Sequence, residues 1–201
     1  MHRSTAVASS IRRTLTRAVG VTALLALAGM PALAQQKITN GGFESGDLTG
    51  FTQSGNTTFT LVRTSGPFLP NSGTFFAALG PSGSDGTLSQ TFLDTPGQSL
   101  LFSFFLASDG RTPNDFSAFF NGTTLFSQTN VAVHGFTRHM FTLTATGSDR
   151  VGFNFRNDEG FLGLDDVSVL ASTTTTPEPG SMALMATGLI GLVSMFRRRR
   201  A

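Results

Sequence analysis

A serine or threonine acts as a nucleophile only beside a base. Between residues 35 and 172 the bases of the usual kind are His134 and His139. Neither stands in a nucleophile motif: the chain has no Gly-x-Ser-x-Gly elbow, no His-Glu-x-x-His zinc helix and no Gly-x-x-x-x-Gly-Lys phosphate loop. Asp109, Asp115, Asp158 and Glu159 supply the carboxylates that glycoside hydrolysis uses in pairs. They fall among glycine, asparagine and proline, where acids form turns or ligate calcium, and Gly160 directly after Asp158 and Glu159 fits a turn. His139 shares strand parity with Phe141 and Leu143 and reads as a half-buried strand residue. With only His134 near it, the pair falls short of a metal cage. The residues therefore point away from an enzyme.

The most informative acid is Asp165 in Leu164-Asp165-Asp166-Val167-Ser168-Val169-Leu170. It has the parity of Val167 and Val169, which aims it at the core side if those valines face inward. An unpaired buried carboxylate costs several kcal/mol or is neutralised, so Asp165 needs a cation or strong donors. Asn40-Gly41-Gly42-Phe43-Glu44 opens the same domain, and in a sandwich the first and last strands commonly lie close together.

Such residues must be positioned by strands. No stretch from 35 to 172 holds a 3.6-residue apolar period, whereas short alternating runs bounded by Gly, Asn, Asp, Ser and Pro recur about every ten residues. Strands are expected near 36–39, 57–63, 73–79, 87–93, 98–107, 115–120, 123–128, 136–145, 150–156 and 164–170. That pattern predicts an all-β fold, an antiparallel β-sandwich of the jelly-roll kind. Within 150–156, alternation sends Val151, Phe153 and Phe155 inward and leaves Asn154 and Arg156 to solvent. No internal repeat supports a propeller or solenoid.

The opening Asn40-Gly41-Gly42-Phe43-Glu44, the pair Gly50-Phe51, the run Leu88-Ser89-Gln90-Thr91-Phe92 with Pro96-Gly97, and the closing Leu164 to Val169 resemble the galactose-binding-like and carbohydrate-binding-module jelly rolls. The resemblance implies a structural calcium between Glu44 and Asp165, with Asp47 and Asp166 as neighbours and backbone carbonyls completing an oxygen shell. The competing reading has Asp165 accepting backbone amides at a sheet corner. Phe51 stands where the family usually has Trp: the resemblance offers it as a ring on which a sugar stacks, whereas a Phe at that place is more often a core ring. Asn114, Asp115, Arg156 and Asn157 offer a polar rim, of the kind that surface loops carry in any case. The chain departs from the family in having neither Trp nor Tyr; its twenty aromatic residues are all Phe.

Charge is partitioned along the 201 residues. The pI of about 10.4 comes from the ends, since eight of the fourteen basic residues lie before residue 18 or after residue 196. Between 35 and 172, six basic residues face eleven acids, a net charge of −5. That sign excludes nucleic acid as a partner of the domain. Cysteine is absent, which removes disulfides and thiolate metal sites. Residues 1–34 form a signal peptide: basic through Arg17, apolar from Ala18 to Met30, and closed by Ala32-Leu33-Ala34, so that signal peptidase leaves Gln35 as the new terminus. Arg12-Arg13 with Leu15 only faintly resembles a twin-arginine signal, and the general secretory route is expected.

Residues 173–179 form a linker ending in Pro177-Glu178-Pro179. An apolar run follows from Gly180 to Phe196, and then Arg197, Arg198, Arg199 and Arg200. The triplet, the short helix and the terminal arginines, in that order, resemble the PEP-CTERM sorting signal over roughly the last 25 residues. The resemblance implies a Gram-negative host, an exosortase that recognises the triplet and removes the helix, and an association with exopolysaccharide. Seventeen helical residues reach ~25 Å, short of a full hydrocarbon core, and the arginines orient the helix with the domain outside the cytoplasm. An uncut C-terminal anchor is the alternative.

Residues 1–34, 35–172, 173–179 and 180–201 thus read as signal peptide, β-sandwich domain, linker, and a single short transmembrane helix with its Arg-rich tail. The expected protein is an exported structural or binding protein of the cell envelope or extracellular matrix. It contacts the inner membrane at least transiently. A calcium-dependent, lectin-like glycan-binding module and a polysaccharide hydrolase are the alternatives.

Overall fold

In the computed structural model, which describes residues 34–172 and 187–189, the chain forms eleven strands. They are β1 (Gln35–Gln36), β2 (Thr52–Gly55), β3 (Thr60–Arg63), β4 (Phe76–Leu79), β5 (Gly86–Leu93), β6 (Ser99–Ser108), β7 (Asn114–Phe120), β8 (Thr123–Thr129), β9 (His134–Thr144), β10 (Ser148–Asn157) and β11 (Leu162–Ala171). The order β3-β4-β11-β6-β9, with β1 beside β11, makes one antiparallel sheet; β2-β5-β10-β7-β8 makes the other. The jelly-roll sandwich expected from the sequence is the fold. The expected signal peptide apart from Ala34, the sorting residues Pro177 to Pro179 and Arg197 to Arg200, and the apolar run apart from residues 187–189 lie outside the described residues. Among the described residues no helix is long and apolar enough to cross a membrane.

Alternation builds the core as the sequence requires. Val151, Phe153 and Phe155 of β10 are fully buried, and Leu100, Phe102, Phe104 and Leu106 of β6 face them from the other sheet. Phe104 meets Phe153 edge-on with centroids 5.0 Å apart and lies 5.7 Å from Phe116 of β7. Each such side chain contributes about 1.5–3 kcal/mol by leaving water. The β7–β8 hairpin turns on Asn121-Gly122, whose φ angles of 49° and 83° suit a two-residue turn that demands positive φ at both positions. The strand missed from sequence is β2. Thr52-Gln53-Ser54-Gly55 is an exposed edge strand with no apolar residue, so alternation leaves no trace there.

One expected facing is overturned. β11 carries a bulge between Asp165 and Ser168, with Asp166 at φ 48°. Leu162 and Leu164 point into the core before it, and Val167, Val169 and Ala171 after it, because the extra residue flips the alternation. Asp165 therefore faces the outer side of its sheet, opposite to the side its parity with Val167 implied. It is nevertheless fully buried, because the long β3–β4 loop covers that face.

Candidate ligand groove and carboxylate corner

The β3–β4 loop packs on the outer face through Phe68. Its ring forms a triad with Phe76 and Phe136, each pair of centroids 6.0 Å apart and edge-on. Beneath them is Gly163, where a Cβ would come within 3.0 Å of both Phe68 and Phe136. A glycine at this strand position lets the aromatic lid lie flat.

Where this lid meets the end of the sandwich, a groove of about 730 Å³ opens between four chain segments. Phe68, Phe136 and Phe161 supply its apolar wall; Arg111, His134 and Glu159 stand around it; Leu69 and Val133 are each 75% exposed at its edge. Asp109 holds the loops together. Its carboxylate accepts the N–H of Phe161 at 2.8 Å, of Arg111 at 3.1 Å, and Asn157 Nδ2 at 3.2 Å. Gly160 packs so closely that a Cβ would fall 2.0 Å from Asp109 Oδ2. Arg111 Nη1 donates to the Glu159 carbonyl at 3.1 Å, tying the two rim segments. Arg63 places its guanidinium 4.6 Å from the Phe161 centroid, a cation–π contact that steadies the ring. The groove thus combines aromatic surface with a cation, an imidazole and a carboxylate, the mixture that small polar ligands with apolar faces use.

The expected metal residues are grouped differently. Asp165 Oδ2 accepts the backbone N–H of Asn71 at 2.8 Å and of Ser72 at 3.4 Å, and Oδ1 accepts that of Asp166 at 2.8 Å. Glu44 accepts the N–H groups of Thr74 and Phe75 at 3.0 Å. Asp166 takes Asn71 Nδ2 and Ser72 Oγ, each at 2.7 Å. Three carboxylates thus converge on residues 71–75, next to Gly42, and every one of their oxygens meets an N–H or O–H donor. Burial pushes the Asp165 carboxyl up to about 7; the three amides pull against this, and the Asp166 charge adds to it. Asp47 closes its own turn with Ser45 Oγ at 2.6 Å and the Thr49 N–H at 2.9 Å, which lower its pKa. Among the described residues, no group of three or more His, Cys, Asp or Glu side chains is arranged to hold a metal ion. The donors are hard oxygens, as calcium requires, but they are turned to amides and hydroxyls and do not fit a cation cage.

The other sequence candidates have structural partners. Phe51 is half-buried, stacks on the buried Phe43 at 5.4 Å and packs against the core cluster, and it does not line the groove. Asn114 and Asn157 are buried instead of forming a rim, and Asn114 bonds both the N–H and the carbonyl of Val131. Arg156 lies 3.5 Å from Asp115 and from Asp158. Burial, then the Asp85 charge, raise the pKa of Asp115. Phe161, Phe68 and Phe136 carry no signature in the sequence that separates them from core rings. The position of Phe161 beside the Asn157-to-Gly160 turn is the available signal.

Residues 175–200 match the PEP-CTERM protein-sorting motif. The motif implies an exported protein handled by exosortase-type machinery and sorted to the cell surface. No curated protein matches the chain. Solved structures resemble the domain. TmCBM61 in complex with β-1,4-galactotriose is 18% identical with TM-score 0.53, covering 69% of this chain and 100% of that one. The enzymatically active domain of bacteriophage CBA120 tailspike protein 4 is 15% identical with TM-score 0.51, covering 68% of this chain and 21% of that one. The Clostridium thermocellum xylanase 10B CBM22-1–GH10 modules complexed with xylohexaose are 16% identical with TM-score 0.50, covering 71% and 30%. At these identities the likeness establishes the fold, that of carbohydrate-binding modules with a jelly roll. Such modules are non-catalytic, although the xylanase one adjoins a hydrolase module.

Proposed function

We propose that this PEP-CTERM protein is an exported cell-surface module that binds a glycan of an extracellular polysaccharide in the end groove. The observation that carries the reading is the groove itself: the Phe161 ring, steadied by Arg63, beside Arg111, His134 and Glu159. A pyranose has apolar C–H faces and a polar equator. An aromatic wall takes the first and charged hydrogen-bonding side chains take the second. The fold shared with carbohydrate-binding modules and the sorting motif support the same reading.

The test is a glycan array probed with the chain lacking residues 1–34. Binding should fall at least tenfold in Phe161→Ala and in Arg111→Ala, a loss of about 1.4 kcal/mol or more. It should persist in Phe51→Ala variants that still fold. Glycan binding indifferent to Phe161 and Arg111 would move the site elsewhere, and no binding to any glycan would leave a purely structural envelope protein.

A further inference from the structure

The groove and the point where the chain leaves the domain lie at opposite ends of β11. Glu159, Gly160 and Phe161 line the groove and immediately precede that strand. Ser172 immediately follows it, fixed by its N–H to the Ser99 carbonyl at 2.9 Å and by Gln98 Nε2 to its own carbonyl at 2.8 Å. Ten residues of strand place these ends roughly 30 Å apart. The N-terminal strand joins the same end as Ser172, since Gln35 pairs with Ala171. Gln35 and Ser172 therefore lie at one pole of the domain. The groove loops around Asp109, Val133 and Phe161 gather at the other, where Leu162, Ser108 and His134 are paired across three strands.

We infer that the groove is the tether-distal face of the protein, so that it captures a polysaccharide strand lying beyond the domain and not sugar headgroups of the membrane that receives the sorting tail. This rests on the groove being the sugar site. A polymer approaching from outside meets the distal pole without passing the tether. A headgroup sugar on the tail's own membrane would have to reach across the full length of β11. The sequence that encodes this polarity is simple: the closing strand begins at the groove turn Asp158-Glu159-Gly160-Phe161 and runs straight into the Thr-rich linker.

The chain contains no cysteine, so a single introduced thiol labels one position. Leu93 and Val133 are 74% and 75% exposed; Leu93 pairs with Ser148 at the tail-side pole, and Val133 stands at the groove. The chain from Gln35 through its complete tail, carrying a fluorophore at Leu93→Cys or Val133→Cys, is reconstituted in phosphatidylcholine–phosphatidylglycerol vesicles bearing a headgroup quencher. The Leu93→Cys label should be quenched at least about threefold more than the Val133→Cys label, given the steep distance dependence of contact quenching over the length of β11. Equal quenching, quenching of neither, or stronger quenching at Val133→Cys would overturn the inference. No sugar enters this readout, so a failed glycan array and a failed orientation are separate results.

Discussion

His139 is held between the rings of Phe104 and Phe126, with centroids 5.1 and 4.5 Å away. Burial in that aromatic slot, and secondarily the charge of His134, lower its pKa below 6.5. The folded state therefore binds fewer protons than the unfolded chain just below that value. The stability His139 contributes is present above about pH 6.5 and is lost as pH falls through the depressed folded value. Chemical denaturation of wild type and His139→Phe from pH 7.5 to 5 should show wild type losing more stability. The loss is limited because the ring is only partly buried. Parallel curves would remove His139 from the balance. Its place was legible in the sequence, since parity with Phe141 and Leu143 needs only an unbroken strand. The role of Asp109 was not, because its partners at Phe161 and Asn157 lie some fifty residues away.

The strands themselves were legible wherever apolar residues alternate, and β2 was lost because it has none. The closing strand is the instructive case. Its strand character and its paired acids show in the sequence, but the bulge at Asp166 does not, and one extra residue reverses every facing beyond it. The corner this creates has an energetic role that can be measured. Asp165→Ala removes the acceptor for the N–H groups of Asn71, Ser72 and Asp166, and should cost about 2–4 kcal/mol of stability. Added calcium should leave the wild-type thermal midpoint in place. A calcium-dependent rise present in wild type and absent in Asp165→Ala would show instead that the corner opens to a cation.

On the scale of the whole molecule, cations flank both apolar termini and the β-rich middle carries a charge of −5. That separation is legible in the amino-acid order alone and agrees with the sorting motif at residues 175–200. The groove proposed for the ligand was not legible there. The groove is assembled from four segments distant in the chain, and its aromatic wall is built of phenylalanines that no pattern distinguishes from the core. The most direct test of the groove is an amide chemical-shift titration of the chain from Gln35 to Ser172 with the best ligand from the array. Shifts should concentrate at Arg111, His134, Gly160 and Phe161. Perturbations confined to the outer face of the second sheet, at Thr87, Ser117 and Asn154, with the groove amides unmoved, would contradict the assignment.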